Sequence, residues 1–240
     1  MKITVLTLFP NLINEFLNTS IIKRSIQKEV VDIKVVDIRD YSIDKHRHVD
    51  DTPYGGGAGM LIRSDVIIPC LKANKTDKSY VLLTSPKARP YSQNKAIELS
   101  KKEDIVIICG HYEGIDARVE KYVDENISIG DYILTGGEIP CMAIIDSITR
   151  LLDESISSSS LKEESYNNGL LEYKQYTKPA IYDNDEVPSV LVNGNHKLIR
   201  EFNLKSSLEE TLKYRPELID KSKLDEEELN ILKDLENNHK

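Results

Sequence analysis

Short apolar runs alternate with stretches of helical spacing through the first 150 residues. Residues 2–8, 32–38 and 80–84 read as strands, the last stopped by Ser85-Pro86. Residues 105–109 (IVIIC) are apolar without alternation, which predicts a strand covered on both faces. Helical spacing runs over 11–17, 20–29, 64–73 (with Ser64 as its cap), 92–101, 115–123 and 138–152, and a further strand is predicted over 127–134. This alternation predicts an α/β domain with a mostly parallel sheet over residues 1–152.

Between 153 and 168 the pattern collapses into Ser157-Ser158-Ser159-Ser160 and polar neighbours, the composition of a flexible linker. From 169 to 240 the signals are helical: 195–202, then 206–214 with capping-box spacing between Ser206 and Glu209, then 224–237. A small all-helical C-terminal domain is expected.

Composition narrows the class. The chain has 240 residues, 40% hydrophobic and 30% charged, as in a soluble globular protein. No apolar run approaches the roughly 20 residues of a membrane helix, so no membrane association is expected. Residues 3–9 are too short for a signal peptide and read as the first strand. Cys70, Cys109 and Cys141 are odd in number and lack CxxC spacing, which points to a reducing cytoplasm and away from disulfides or zinc. The net charge of −8 does not suggest a nucleic-acid partner. The tail 217–240 holds eight acidic and four basic residues, however, so half of that charge is local and basic patches can exist elsewhere.

Three glycine-rich segments are candidates for ligand contact: Tyr54-Gly55-Gly56-Gly57-Ala58-Gly59, Cys109-Gly110-His111-Tyr112-Glu113-Gly114, and Gly130-Asp131-Tyr132-Ile133-Leu134-Thr135-Gly136-Gly137. Each alone reads as a tight turn. Two of them follow predicted strands, and ligands sit at the carboxyl ends of strands in open α/β sheets. The first lacks the lysine and hydroxyl residue of a P-loop, and the first strand runs into Phe9-Pro10-Asn11 without the dinucleotide glycines. Asp37 therefore reads as a surface acid at a strand end. His46 and His48 with Asp44, Asp50 and Asp51 read as a basic RNA-contacting loop, given Lys45 and Arg47 among them, and no metal site is assigned.

The residues also carry a resemblance. Leu8-Phe9-Pro10, Asp37-Ile38-Arg39-Asp40, the run Asp44 to Tyr54 with its glycines, Gly110-His111-Tyr112-Glu113-Gly114-Ile115-Asp116, Ser128 to Glu138, Gly169-Leu170-Leu171-Glu172, Tyr176-Thr177-Lys178-Pro179 and Gly194-Asn195-His196 stand in one order. Together they resemble the bacterial tRNA (guanine(37)-N1)-methyltransferase family from the N-terminus to about Pro216. The resemblance implies a SPOUT-type fold with a deep trefoil knot, a homodimer, and the anticodon stem-loop of tRNA as partner. It implies S-adenosylmethionine as methyl donor and makes Mg2+ a second cofactor to test. The cofactor set it implies is Leu83, Ser85, Pro86, Gly110, Tyr112, Glu113, Ile129, Gly130, Tyr132, Leu134, Gly136, Gly137 and Pro140.

Guanine N1 carries a proton at neutral pH, so methylation needs a general base and a donor that stabilises the charge spreading onto O6. The resemblance assigns these roles to Glu164, where the family has aspartate, and to Arg150. It gives Tyr112, Glu113, His46, Lys178 and His196 to substrate binding. Lys174, Gln175 and Lys178 depart from the Pro, His and Arg common in the family. Three other readings stay open on the residues: a related knotted methyltransferase acting on ribosomal RNA, an RNA-binding protein without cofactor, and a nicotinamide-dependent dehydrogenase.

Overall fold

The computed structural model describes residues 1–152, 166 and 169–238. The chain divides into two compact units, 1–157 and 158–240. The expected linker 153–168, apart from Tyr166, and the candidate base Glu164 lie outside the described residues.

The first unit is built on five parallel strands. β1 (Lys2–Thr7) and β2 (Asp32–Asp37) pair in register, with α1 (Pro10–Leu17) and α2 (Ser20–Gln27) between them. A two-residue antiparallel pair, β3 (Asp50–Asp51) and β4 (Leu61–Ile62), precedes α3 (Ser64–Asn74). Then come β5 (Tyr80–Thr84), α4 (Gln93–Ser100), β6 (Asp104–Ile108), β7 (Glu125–Ile127) and α5 (Glu138–Leu151). The sheet order is β2-β1-β6-β5-β7. β6 sits at the centre and every one of its residues is buried, which is why its sequence shows no alternation. One apolar layer, including Ile13, Ile22, Leu99, Ile144 and Ile148, covers one face, and another, including Ile38, Val66, Ile67, Leu71 and Val119, covers the other.

Several expectations are corrected. The segment 115–123 is not an α-helix but a 3-10 helix over Ala117–Tyr122, opened by Asp116, whose side chain accepts from the Arg118 N–H at 2.9 Å. The strand expected over 127–134 ends at Ile127, because Ser128 Oγ bonds both the N–H and the carbonyl of Gly130 (3.2 and 3.0 Å) and draws the chain out of the ladder. Ser64 is the first helical residue rather than the cap, and its hydroxyl donates to Asp116. Ser92, in contrast, caps α4 by accepting from the Lys95 N–H.

In the second unit a long helix, His196–Tyr214, replaces the two expected pieces. Ser206 lies inside it, buried, with its Oγ accepting from the Lys174 N–H at 3.1 Å, so its spacing to Glu209 is not a capping box. The cap is Asn195, accepting from Lys197 and Leu198. Leu208 of this helix packs with Leu170, and with Leu235 of the last helix, Glu226–Asn238. The unit is not all helical. Ile181–Tyr182 and Asp185–Glu186 form a hairpin whose turn residues, Asp183 and Asn184, both take positive φ, as a two-residue hairpin loop of this hand requires.

Candidate functional site

The carboxyl ends of β6, β5 and β7 lie side by side, with Leu83 opposite Ile108 and Thr84 opposite Ile127. Three loops leave the sheet there and are stitched together by backbone bonds. Ser85 N–H donates to Ile127 O (2.9 Å), Tyr91 N–H to Ser128 O (2.7 Å) and Gly137 N–H to Gly110 O (2.7 Å). His111 and Gly136 form an isolated antiparallel bridge. Thr84, at the end of β5, is tied to the end of β6 and the start of the second loop, its hydroxyl donating to Ile108 O and accepting from the Gly110 N–H, both at 3.2 Å.

Gly137 is the tightest point of this arrangement. A β-carbon there would stand 2.0 Å from Thr84 Oγ1, 2.7 Å from Gly110 N and 2.9 Å from Cys109 Cα. Ordinary atoms do not approach so closely, so only glycine lets the third loop lie against the second. Tyr112 takes φ +58°, an unfavourable conformation for a bulky residue, and is 42% exposed at the loop rim. Its ring meets that of His111 edge-on at 5.0 Å, and His111 in turn lies 4.9 Å from the ring of Phe9. Beneath the loops Cys109 is fully buried, and burial together with the Cys141 thiol pushes it well above the usual thiol range.

The first glycine segment joins the same region. Glu113 N–H donates to Met60 O and Ile62 N–H to Gly114 O, both at 3.0 Å. Gly59 has φ +83° and lies so close to Glu113 that a β-carbon would meet its Cγ at 2.3 Å. The second loop thus carries Tyr112 and Glu113 between the third loop and the Gly55–Gly59 turn.

A family model described as tRNA (Guanine-1)-methyltransferase TrmD matches residues 1–221 of this chain. The chain belongs to this family. A protein named tRNA (guanine-N(1)-)-methyltransferase from Clostridium botulinum (strain Hall) is 52% identical over 98% of both chains. A protein of the same name from Syntrophomonas wolfei is 46% identical over 98% of this chain and 97% of its own, and one from Aster yellows witches'-broom phytoplasma is 45% identical over 98% of both.

Most of the cofactor residues anticipated from the TrmD-family resemblance fall on the three stitched loops. Leu83 ends inside β5, and Ser85 and Pro86 open the first loop. Gly110, Tyr112 and Glu113 form the second. Ile129, Gly130, Tyr132, Leu134, Gly136 and Gly137 form the third, and Pro140 is buried in the first turn of α5. Arg150 is half-buried in the last turn of that helix. His46 is exposed on a separate loop where Asp44 organises the chain, accepting from the His46 N–H and pairing with His48 Nδ1 at 3.1 Å. Lys178 and His196 belong to the second unit, exposed before the hairpin and at the start of the long helix. Among the described residues no group of three or more His, Cys, Asp or Glu converges as metal ligands would.

Thr7, Thr84 and Glu138 were not singled out as site residues, yet they tie the loops to the sheet. The signal for the two threonines is a buried hydroxyl at the end of an otherwise apolar strand. A cleft of about 560 Å³ lies beside the loops, lined by Asp51–Tyr54, Leu61–Asp65, Asp116 and Arg118. Both of its arginines are already paired, Arg63 with Asp65 and Arg118 with Asp116.

Asp116 yields a stability prediction. The Arg118 side chain, and then the Arg118 N–H and Ser64 hydroxyl, hold its carboxyl well below the usual 3.8. The ionised form is bound more tightly in the fold than in the unfolded chain, so its contribution is complete above about pH 4 and is lost as pH falls further. Arg118 is 67% exposed, so the ion pair itself adds little, and the cap supplies most of the effect. Asp116→Ala, which removes the cap, should cost about 1 kcal/mol at pH 7. Urea denaturation should show the gap to wild type closing between pH 4 and pH 2.

Proposed function

We propose that this chain methylates N1 of guanine-37 in tRNA from S-adenosylmethionine, acting as a homodimer with a knotted SPOUT-type α/β unit. Its domains are residues 1–152 for the cofactor, a linker over 153–168, and 169–240 for tRNA. The observation that carries the reading is the close-packed cradle of Thr84, Gly110 and Gly137 in a chain of the TrmD family. Bare backbone at three adjacent strand ends suits an adenosine that must lie flat against peptide groups. When bound, S-adenosylmethionine supplies an electrophilic methyl group. Large apolar side chains left open on the third loop and α5, Ile133 at 81% exposure among them, support a second copy of the chain across this face.

The chain's own groups then divide the work. Tyr112 stacks on guanine, and Glu113, held across Gly59, accepts from its exocyclic amine. Glu164 takes the N1 proton and Arg150 donates two parallel N–H groups toward O6 as negative charge gathers there. The target base leaves the anticodon-loop stack to reach them. His46, Lys178 and His196 contact the RNA backbone. Arg150→Lys should lower the single-turnover rate by about 100-fold, because a point charge cannot replace the planar pair of donors. Quenched-flow methyl transfer measures it, and an unchanged rate would remove Arg150 from the chemistry.

The reading is tested by methyl incorporation into tRNA transcripts with G or A at position 37, beside a ribosomal RNA fragment. Label should enter the G37 transcript alone. Repeating the assay with EDTA, then with Mg2+ restored, tests the divalent ion suggested by the resemblance.

A further inference from the structure

Among the described residues two carboxylates are buried, Asp104 and Glu138. Asp104 opens β6, at the end of the strand away from the loops, and its Oδ2 accepts from the hydroxyls of Thr76 and Ser79. Glu138 is different. It follows Gly136 and Gly137 directly, is 4% exposed, and no lysine or arginine pairs with it among the described residues. Its Oε1 accepts from the Thr7 hydroxyl at 2.7 Å. Its Oε2 faces Gly136, where a β-carbon would stand only 2.4 Å away. The His111 ring crowds the same point, 2.6 Å from it, with its Nδ1 buried and without a partner.

Glu138 lies in the first turn of α5, and a buried carboxylate is costly without a compensating cation. The Thr7 hydroxyl is neutral, and it fixes one oxygen so that the other stays aimed at the cofactor loop. Beside the His111 imidazole, a ligand's cation supplies that compensation. S-adenosylmethionine carries a positive sulfonium, whereas the product S-adenosylhomocysteine carries a neutral thioether in an otherwise matching molecule.

We propose that Glu138 is a specificity-determining residue whose fixed negative charge favours the cationic methyl donor over the neutral product. The inference rests on the cofactor reading above and goes beyond it by assigning the discrimination to one side chain. A single charge acting through the loop is enough for about a tenfold difference in affinity between the two ligands.

The test is calorimetric titration of the full chain with S-adenosylmethionine, S-adenosylhomocysteine and sinefungin, which carries an ammonium where the sulfonium stands. Glu138→Gln keeps the shape and can still accept from Thr7. It should weaken S-adenosylmethionine and sinefungin by about tenfold and leave S-adenosylhomocysteine within about twofold. Glu138→Asp, which keeps the charge, should hold the wild-type ratio. Equal loss for all three ligands in Glu138→Gln, or no loss for any, would overturn the proposal. If Glu138→Gln does not fold, Thr7→Val frees the carboxylate to turn from Gly136, and the same selective loss is expected and the same uniform result overturns it. A wild-type chain that binds none of the three refutes the cofactor reading, and this proposal with it.

Discussion

Gly137→Ala is expected to weaken S-adenosylmethionine binding by at least about 100-fold while leaving the chain folded. Gly137 has φ −84°, which alanine adopts freely, so the effect is one of space alone. The new methyl would meet Thr84 Oγ1 at 2.0 Å, Gly110 N at 2.7 Å and Cys109 Cα at 2.9 Å. Two of those atoms are backbone at the end of the central strand and cannot turn aside. The third loop must therefore lift, breaking the 2.7 Å bond from Gly137 N–H to Gly110 O and opening the cradle. Relief of such overpacking costs about 1–3 kcal/mol of stability, which a urea titration will register as a shifted midpoint with an unchanged slope. Calorimetry gives the cofactor affinity. Affinity within threefold of wild type would mean that the ligand lies elsewhere.

Glu164→Gln should lower the single-turnover methylation rate by about 10²–10⁴-fold, the range a positioned general base supplies. The amide keeps the size of the side chain but cannot take the N1 proton. Cofactor and tRNA affinities should stay near wild type, since the loss belongs to the transition state. Glu163→Gln serves as the neighbouring control and should react at the wild-type rate. A full-rate Glu164→Gln would leave the proton without an assigned acceptor and contradict the mechanism. Glutamate here extends the family's aspartate by one methylene, and the variant Glu164→Asp tests whether that extra reach is used.

The sheet was legible in the sequence wherever local pattern and burial agree. Residues 105–109 are apolar without alternation because β6 is the central strand, covered on both faces. The helical spacing over 92–101 matches α4, whose first turn Ser92 caps. The pattern failed where side chains redirect the backbone. Asp116 tightens the following turn into a 3-10 helix, and Ser128 ends β7 after three residues. In the second unit Asp183 and Asn184 carried a hairpin signal in a stretch whose strands are only two residues long, too short for any alternation to show. Ser206 imitated a cap while spending its oxygen on Lys174, a partner 32 residues away.

The candidate site divides in the same way. Its glycines were visible, because only glycine tolerates such contacts. What each glycine touches was not visible. Gly137 against Thr84 joins two loops, Gly59 against Glu113 joins the first glycine turn to the second, and the Thr7–Glu138 bond spans 131 residues. Such pairings follow from the parallel strand order rather than from any local spacing.

The central claim is that this chain places a methyl group on one nitrogen of one base. The most direct test is nucleoside analysis by mass spectrometry of a G37 tRNA transcript incubated with the protein and isotopically labelled S-adenosylmethionine. The account predicts labelled 1-methylguanosine, mapped to position 37, and no labelled nucleoside from the A37 transcript. Label in 7-methylguanosine or 2-methylguanosine, or in any nucleoside of the A37 transcript, would contradict it.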